Sequence, residues 1–344
     1  MSADTDTPAG AVRALRSTTA VRERSQQLLA RARAGGSEGF SVNDGALALA
    51  ASTVAELTRA RFPDGGIPYH SRWRHFEAGG VDRAGQLDAL LGPVDAAALA
   101  ALTAAQLGVA FQVSDDNPLV GLEGRAALLR RLGAVLSAQP VVFGATGRPG
   151  GLFDALTANG AGTVAAHDIL VLLLDTLSGI WPAQNAIANQ ALGDCWPHPA
   201  VVGEGLTAGW VPFHKLSQWL TYSLLEPFQW AGVPVTGLDA LTGLPEYRNG
   251  GLLIDAGVLR PLPPDWATRS WQAGDAFIVE WRALTVALLD ELAPLVRAEL
   301  GLSAEQMPLA CVLEGGTWAA GRLLAQRLRD GLPPLNIVSD GTVF

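Results

Sequence analysis

The segment Val211–Tyr222, which reads Val-Pro-Phe-His-Lys-Leu-Ser-Gln-Trp-Leu-Thr-Tyr, has the highest density of side chains that could do chemistry. If it is helical, four polar and aromatic residues at i, i+3, i+4 and i+7 share one face: Lys215, Gln218, Trp219 and Tyr222. Such a face is typical of the wall of a pocket that binds a polar small molecule. The alternative, which the sequence leaves open, is a stripe packed under another helix with the lysine directed outward.

Lys215 is also the only lysine in the chain, because the 24 basic residues comprise 23 arginines and this one. Arginine occupies every other basic position of the chain. The retained lysine therefore indicates a position where an ammonium and a guanidinium are not equivalent. The alternative is chance survival of a surface lysine. A Lys215 far out in solvent would favour that alternative.

A second segment, Glu246-Tyr247-Arg248-Asn249, follows Pro245 and precedes an apolar helix that is predicted to begin near Gly250. Functional side chains are common on loops held by a rigid scaffold. The backbone amides at a helix start can also hold an anion. The alternative is an ordinary helix N-terminus, where the dipole favours a glutamate.

The cluster Pro68–Phe76 contains two arginines, two histidines and three aromatic residues. Guanidinium groups bind phosphates through paired hydrogen bonds, so Arg72, Arg74 and His75 are candidate contacts for a phosphate or a ribose. The alternative is a packed aromatic turn with solvated arginines.

Three further polar segments each contain glycine. In Gly193–His198, Asp194 and His198 could orient a substrate or act as acid and base, although such residues more often bond loop amides. Near the end of the sequence, Leu313–Trp318 and Ser339–Phe344 are predicted to be loops.

The periodicity of apolar residues predicts an all-α protein. The first ten residues are expected to be disordered, and residues 11–344 to form a single helical domain with a minor β element at Leu335–Val338. The clearest helical patterns are Val12–Arg33, Val42–Arg61, Ala96–Leu107, Gly124–Leu136, Ala155–Leu177, Phe213–Phe228 and Ile278–Leu300.

Composition and charge exclude several classes of function. The net charge of −9 argues against a nucleic-acid partner, because phosphate neutralisation requires clustered cations. The longest apolar run is far shorter than the roughly 20 residues of a membrane span. The two cysteines do not form a metal-binding motif, and the histidines and carboxylates do not cluster at metal spacing. We therefore expect a cytoplasmic protein without metal or cofactor.

Five segments resemble the uracil catabolism protein 4 family, and together they span nearly the whole chain: Ile67–Gly80, Asn117–Arg125, Val211–Leu259, Leu313–Trp318 and Ser339–Phe344. The resemblance implies a route in which uracil is first converted to its nucleotide. It also implies a functional partner that opens the ring and is similar to GTP cyclohydrolase II. One family segment is missing here, because Gly79–Arg83 runs almost directly into Leu87–Leu91.

A fainter similarity links the chain to the queuosine-salvage N-glycosidases. They share the Phe-x-Lys-x-x-Gln spacing of Phe213, Lys215 and Gln218, followed by an acidic-Tyr-Arg element like Glu246–Arg248. Those enzymes have an aspartate where Glu246 stands. The similarity implies a helical fold related to that of DNA glycosylases and hydrolysis of an N-glycosidic bond.

The combined expectation is an N-ribosidase that cleaves a ring-opened uridine nucleotide, such as a ribosylurea phosphate, to urea and ribose phosphate. Cleavage at the anomeric carbon passes through an oxocarbenium-like state that a carboxylate stabilises. The expected catalytic residues are Glu246, Lys215 and Asp194. The expected substrate contacts are Arg72, Arg74, His75, Gln218, Trp219, Tyr247 and Arg248. The alternatives are an amidohydrolase or lyase that acts on the ureido group, and a non-catalytic partner of the ring-opening enzyme.

Overall fold

The computed structural model describes residues 4–71, 94–181 and 185–338. The chain is a mostly helical single domain with small scattered strand pairs, which confirms the predicted fold class. The α-helices of the described residues are α1 (Pro8–Leu15), α2 (Thr18–Arg33), α3 (Leu47–Arg61), α4 (Ala96–Ala100), α5 (Ala104–Ala110), α6 (Leu122–Ser137), α7 (Pro140–Phe143), α8 (Gly151–Thr157), α9 (Ala166–Leu177), α10 (Lys215–Trp230), α11 (Tyr247–Asp255), α12 (Ala276–Leu300), α13 (Leu309–Val312) and α14 (Trp318–Arg329).

The strands are two or three residues long and pair only in twos. The antiparallel pairs are β1 (Phe40–Val42) with β8 (Leu259–Pro261), β3 (Ala186–Ile187) with β4 (Gln190–Ala191), and β5 (Cys195–Pro197) with β6 (Trp210–Pro212). The parallel pairs are β2 (Val164–Ala165) with β7 (Val235–Thr236), and β9 (Ser270–Trp271) with β10 (Asn336–Ile337). The last pair corresponds to the β element predicted near the C-terminus.

Helix α12 forms the centre of the domain, because its first turns are buried on all sides and its C-terminal half packs one apolar face. It contacts α2 and α3, which lie along it. It ends at Gly301, whose φ of 68° places it in the left-handed region that favours glycine at a helix C-terminus. Among the described residues, no helix combines the length and the apolar character that crossing a membrane requires.

Helices α13 and α14 are joined by a π-helical turn at Leu313–Thr317. The prediction of a polar loop over Leu313–Trp318 was therefore wrong. A Cβ on Gly316 would lie 2.6 Å from the carbonyl oxygen of Val54 in α3. The glycines thus serve close helix packing rather than chain reversal, and single π-turns of this kind are frequent at functional sites.

Several predicted helices are divided by capping residues. Ser17 caps α2 and separates it from α1, and Thr103 forms a capping box that separates α5 from α4. The apolar pattern of Ala155–Leu177 is interrupted by β2, so α8 and α9 are separate helices. In each case an apolar face continues across a break in the backbone, which periodicity alone cannot detect.

The N-terminal residues differ from the expectation of disorder up to residue 10. Helix α1 begins at Pro8, and the Thr7 hydroxyl accepts a hydrogen bond from the amide of Gly10 at 3.2 Å. Ala11, Val12 and Leu15 of this helix are buried. Residues 8–10 therefore belong to the domain, because the apolar face of α1 is covered by the body of the protein.

Candidate functional site

The site is built on the N-terminus of α10, which begins at Lys215. His214 precedes it in the left-handed conformation, with φ 50° and ψ 37°. A non-glycine residue costs about 1–3 kcal/mol in such a conformation, which is therefore kept only where the surroundings impose it. Asp194 imposes it: its carbonyl oxygen accepts from the amides of Phe213 and His214, and its Oδ2 accepts from the amide of Lys215 at 3.0 Å.

The Asp194 carboxylate is held by further donors. Arg282 of α12 donates to both of its oxygens at 2.8 and 2.7 Å, and Trp196 Nε1 donates to Oδ1 at 2.8 Å. Burial alone would raise the pKa of Asp194, but the Arg282 guanidinium and these hydrogen bonds hold it well below its usual range. A carboxylate in this state is a poor proton carrier. These contacts favour a positioning role for Asp194 over the predicted catalytic one.

Gln218 joins α10 to the loop that leads to Glu246. Its Nε2 donates to Thr242 Oγ1 at 2.5 Å and to the Phe213 carbonyl at 3.2 Å, while its Oε1 accepts from the Thr242 amide at 2.9 Å. Tyr222, one turn further, donates to the Thr242 carbonyl at 2.8 Å. The amide of Gln218 is fully used inside the protein. These contacts explain how the loop is positioned. They occupy the amide group that the sequence predicted to contact the substrate.

Glu246 is the N-cap of α11, and its Oε2 accepts from the amide of Arg248 at 2.9 Å. The residue is 8% exposed. Burial raises the pKa of Glu246, and the positive charge of Lys215, the amides of Arg248 and Asn249, and His70 offset only part of that rise. The result is a carboxylate with increased proton affinity, which suits a general base.

Lys215 is 5% exposed, so the interpretation as a solvated surface lysine is wrong. Its position opposes the helix dipole, because the N-terminal end of a helix carries a partial positive charge that disfavours cations. A buried ammonium at this end requires negative charge near it. The carboxylate of Glu246 is within its electrostatic range and provides such charge.

His70 lies against the same group. It stacks on Trp219 of α10 with ring centroids 5.5 Å apart and an interplanar angle of 6°. Its Nδ1 is 2.9 Å from Oε2 of Glu314, in the π-turn, and Arg61 of α3 contacts the other oxygen of that carboxylate at 3.1 Å. His70 is 5% exposed. His70 thus connects Trp219 of α10 to the ion pairs of the π-turn and α3.

Tyr247 and Arg248 complete the described side of the site. The Arg248 guanidinium lies over the Tyr247 ring, 4.7 Å from its centroid. In the part of the chain that the structure describes, Arg248 Nε and Nη1 are buried without a hydrogen-bond partner. A buried guanidinium with unused donors is suited to an anionic ligand, because carboxylate and phosphate oxygens match its geometry.

The structure therefore groups Lys215, Glu246 and Trp219, with Tyr247 and Arg248 adjoining Glu246. The predicted contacts Arg72, Arg74 and His75 lie outside the described residues, as do Ser339–Phe344. The sequence reasoning missed His70 and Glu314 as individual residues, although both lie in segments that it singled out. Their pairing across 244 positions leaves no local signal in a single sequence.

Among the described residues, no group of three histidine, cysteine, aspartate or glutamate side chains is arranged to hold a metal ion. The buried ionic groups of the site instead pair with one another, as Asp194 does with Arg282 and Glu314 with His70 and Arg61. The chemistry that this part of the chain can supply is therefore that of a carboxylate, an ammonium, a guanidinium and an imidazole.

Comparison with known proteins shows the family to which the chain belongs. A family model described as "Protein of unknown function (DUF1688)" matches residues 14–92 and 92–344. The chain belongs to this family. The two matched parts meet at residue 92, close to the place where the sequence lacks a segment of the uracil catabolism protein 4 pattern.

Two relatives cover most of the chain. Protein urg3 of Schizosaccharomyces pombe is 42% identical over 257 residues, which are 73% of this chain and 61% of that protein. Uracil catabolism protein 4 of Lachancea kluyveri is 41% identical over 275 residues, which are 72% of this chain and 62% of that protein. The resemblance seen in the sequence is confirmed. The chain spans less than two thirds of the length of these relatives.

Proposed function

We propose that the protein takes part in uracil catabolism as a hydrolytic N-ribosidase. The proposed substrate is a ring-opened uridine nucleotide of the ribosylurea phosphate class, and the products are urea and ribose phosphate. The name of the Lachancea relative supports the pathway. The reaction is supported by the site and by the similarity of its motifs to those of the queuosine-salvage glycosidases.

The observation that carries the proposal is the buried Glu246 beside Lys215. Hydrolysis at an anomeric carbon requires a carboxylate in a dry pocket that stabilises positive charge on the sugar and accepts a proton from water. Glu246 is 8% exposed, and burial raises its pKa. Lys215 and Arg248 supply the positive charge that a phosphorylated substrate needs beside this carboxylate.

Each residue has a defined task in this mechanism. Lys215 and Arg248 bind the phosphate or a ribose hydroxyl, and Trp219 and Tyr247 form walls that exclude water. Glu246 lies beside the anomeric carbon, stabilises the oxocarbenium-like state and takes a proton from the attacking water. The two hydrogen bonds between Gln218 and Thr242 fix the spacing between α10 and Glu246.

The deciding experiment is to incubate the purified protein with ribosylurea 5-phosphate and to identify the products. Free ribose phosphate together with urea supports the N-ribosidase. Ammonia or carbamate with the N-glycosidic bond intact would instead show an enzyme that acts on the ureido group. Binding without turnover would indicate a non-catalytic partner.

The variant Glu246→Gln keeps the shape of the side chain and removes its charge. We expect kcat to fall by roughly 10²–10⁴-fold while substrate binding is largely kept. The matched control is Glu280→Gln, because Glu280 is also buried, at 3% exposed, and burial raises its pKa too, yet it lies against Ser37 and Arg31. Normal turnover by Glu246→Gln would refute the role of this residue.

A further inference from the structure

We propose that His70 is the general acid of the reaction and that Glu314 is the residue that positions it. This inference rests on the proposed N-ribosidase function. It identifies the donor of the proton that the departing urea nitrogen needs. Glu246 cannot be this donor, because it accepts a proton from water in the same step.

The first argument is the geometry of the imidazole. Glu314 accepts a hydrogen bond at His70 Nδ1, so this nitrogen carries a proton, and Nε2 lies on the opposite edge of the ring. Within the described ranges, Nε2 makes no hydrogen bond. The ring cannot turn freely, because it is stacked on Trp219, and the backbone amide of His70 donates to the Ala310 carbonyl at 3.0 Å. A fixed ring with one bonded and one available nitrogen is the arrangement that proton transfer requires.

The second argument is the charge behind the imidazole. Burial raises the pKa of Glu314, but the contacts with His70 and Arg61 outweigh it and hold that pKa below its usual range. Glu314 is therefore ionised and stabilises an imidazolium. A carboxylate that orients a histidine and stabilises its charged form is the recurring partner of catalytic histidines.

The third argument is that His70 and Glu246 would carry out different proton transfers in the same reaction. The charge of His70 lowers the pKa of Glu246, which indicates that the two groups lie near each other. In the proposed step, the bond between the anomeric carbon and nitrogen breaks, and its electron pair goes to the nitrogen. His70 Nε2 gives its proton to that nitrogen. The oxygen of water bonds to the anomeric carbon, and Glu246 takes the water proton, so that urea and ribose phosphate result.

Charged groups surround His70. Glu314 bonds its Nδ1, and Arg61 contacts the other oxygen of Glu314. His70 and Lys215 both act electrostatically on the Glu246 carboxylate. The acid role of His70 is therefore tested by the leaving group of the substrate, which changes the need for a proton and leaves these charges as they are.

The test compares two substrates of the same ribose 5-phosphate, one carrying urea and one carrying 4-nitrophenolate. Urea needs a proton in order to leave, whereas the nitrophenolate leaves without one. We expect His70→Gln to lower kcat on the urea substrate by roughly 10²–10⁴-fold and on the nitrophenyl substrate by less than about tenfold. Both values come from one preparation, so a partly unfolded variant lowers them equally and leaves their ratio unchanged.

The outcomes separate the two proposals. An equal loss on both substrates would refute the acid role of His70 and leave the N-ribosidase intact. A wild-type protein that releases no ribose phosphate from either substrate would refute the N-ribosidase, and the acid role with it. For Glu314→Gln we expect the same selective loss, larger on the urea substrate than on the nitrophenyl substrate, with partial recovery in Glu314→Asp. An equal loss on both substrates would show that Glu314 is only structural.

Discussion

The ion pair between Asp194 and Arg282 gives the sharpest prediction about stability, because the sequence favoured a catalytic Asp194 and the structure favours a positioning one. The Arg282 side chain is 1% exposed and meets both carboxylate oxygens. In Asp194→Asn that guanidinium stays buried and loses the negative charge of Asp194. Removing one partner of such a pair costs about 3–5 kcal/mol in the free energy of unfolding.

The expected change is large enough to measure. With an unfolding entropy of about 2.1 cal/mol/K per residue, a loss of 3–5 kcal/mol lowers the Tm of a chain of 344 residues by roughly 4–7 °C. The assay is urea and thermal unfolding followed by tryptophan fluorescence. Asp255→Asn is the matched control, because Arg329 also holds Asp255 with two bonds of 2.7 Å but is 26% exposed. Water can solvate Arg329 after the change, so we expect a smaller loss.

The pH dependence has a definite sign. The pKa of Asp194 is depressed in the folded state, so the ion pair contributes fully above the unfolded value of about 4. The contribution is lost as the pH falls through the folded pKa, and Asp194→Asn should flatten this part of the stability curve. If the variant were as stable as Asp255→Asn but inactive, the positioning role would be refuted and a catalytic Asp194 restored.

Three further predictions concern metals, packing and the lysine. Activity should survive dialysis against a chelator, because no metal-binding cluster is present in the described residues; recovery only with an added divalent ion would contradict this. Gly321→Ala should lower the free energy of unfolding by about 1–3 kcal/mol, since its Cβ would clash with the Arg248 carbonyl, while Gly251→Ala, with 3.4 Å to its nearest neighbour, should be neutral. Lys215→Arg should raise KM about 10–100-fold and change kcat less; a normal KM would contradict the proposed binding role.

The elements of the site could be predicted where their signals are local. The polar stripe of α10 follows from its spacing and is present. A helix was also predicted after Glu246, but it begins at Tyr247 rather than near Gly250, so Tyr247, Arg248 and Asn249 lie in its first turn instead of in a loop. The turn at Leu313–Thr317 could not be predicted, because two adjacent glycines normally weaken a helix. Here they are required by the close approach of Val54 and Thr58, which the sequence does not show.

The contacts between distant residues were beyond prediction for a different reason. Asp194 and Arg282 are 88 positions apart, and the pairing depends on how the fold brings α12 to the segment that contains Asp194. From the sequence, Asp194 could therefore act as an acid or a base. In the structure its carboxylate accepts four hydrogen bonds that keep it ionised, so it has no proton to donate. The type of a residue predicts which chemistry it can do, whereas its partners decide whether that chemistry remains available.

The same argument explains why a chain of arginines keeps one lysine. The buried Arg282 guanidinium is stabilised on one side by hydrogen bonds to both oxygens of Asp194. Its Cζ also lies 4.0 Å from the centroid of the Phe213 ring. At position 215 the proposed role is to bind a phosphate or a ribose hydroxyl beside Glu246, which accepts from the α11 amide. An ammonium is a compact point charge that can approach such a group from several directions, whereas a guanidinium needs a planar partner for its paired hydrogen bonds. The retained lysine therefore fits a substrate-binding role, and for this reason we expect Lys215→Arg to raise KM more than it changes kcat.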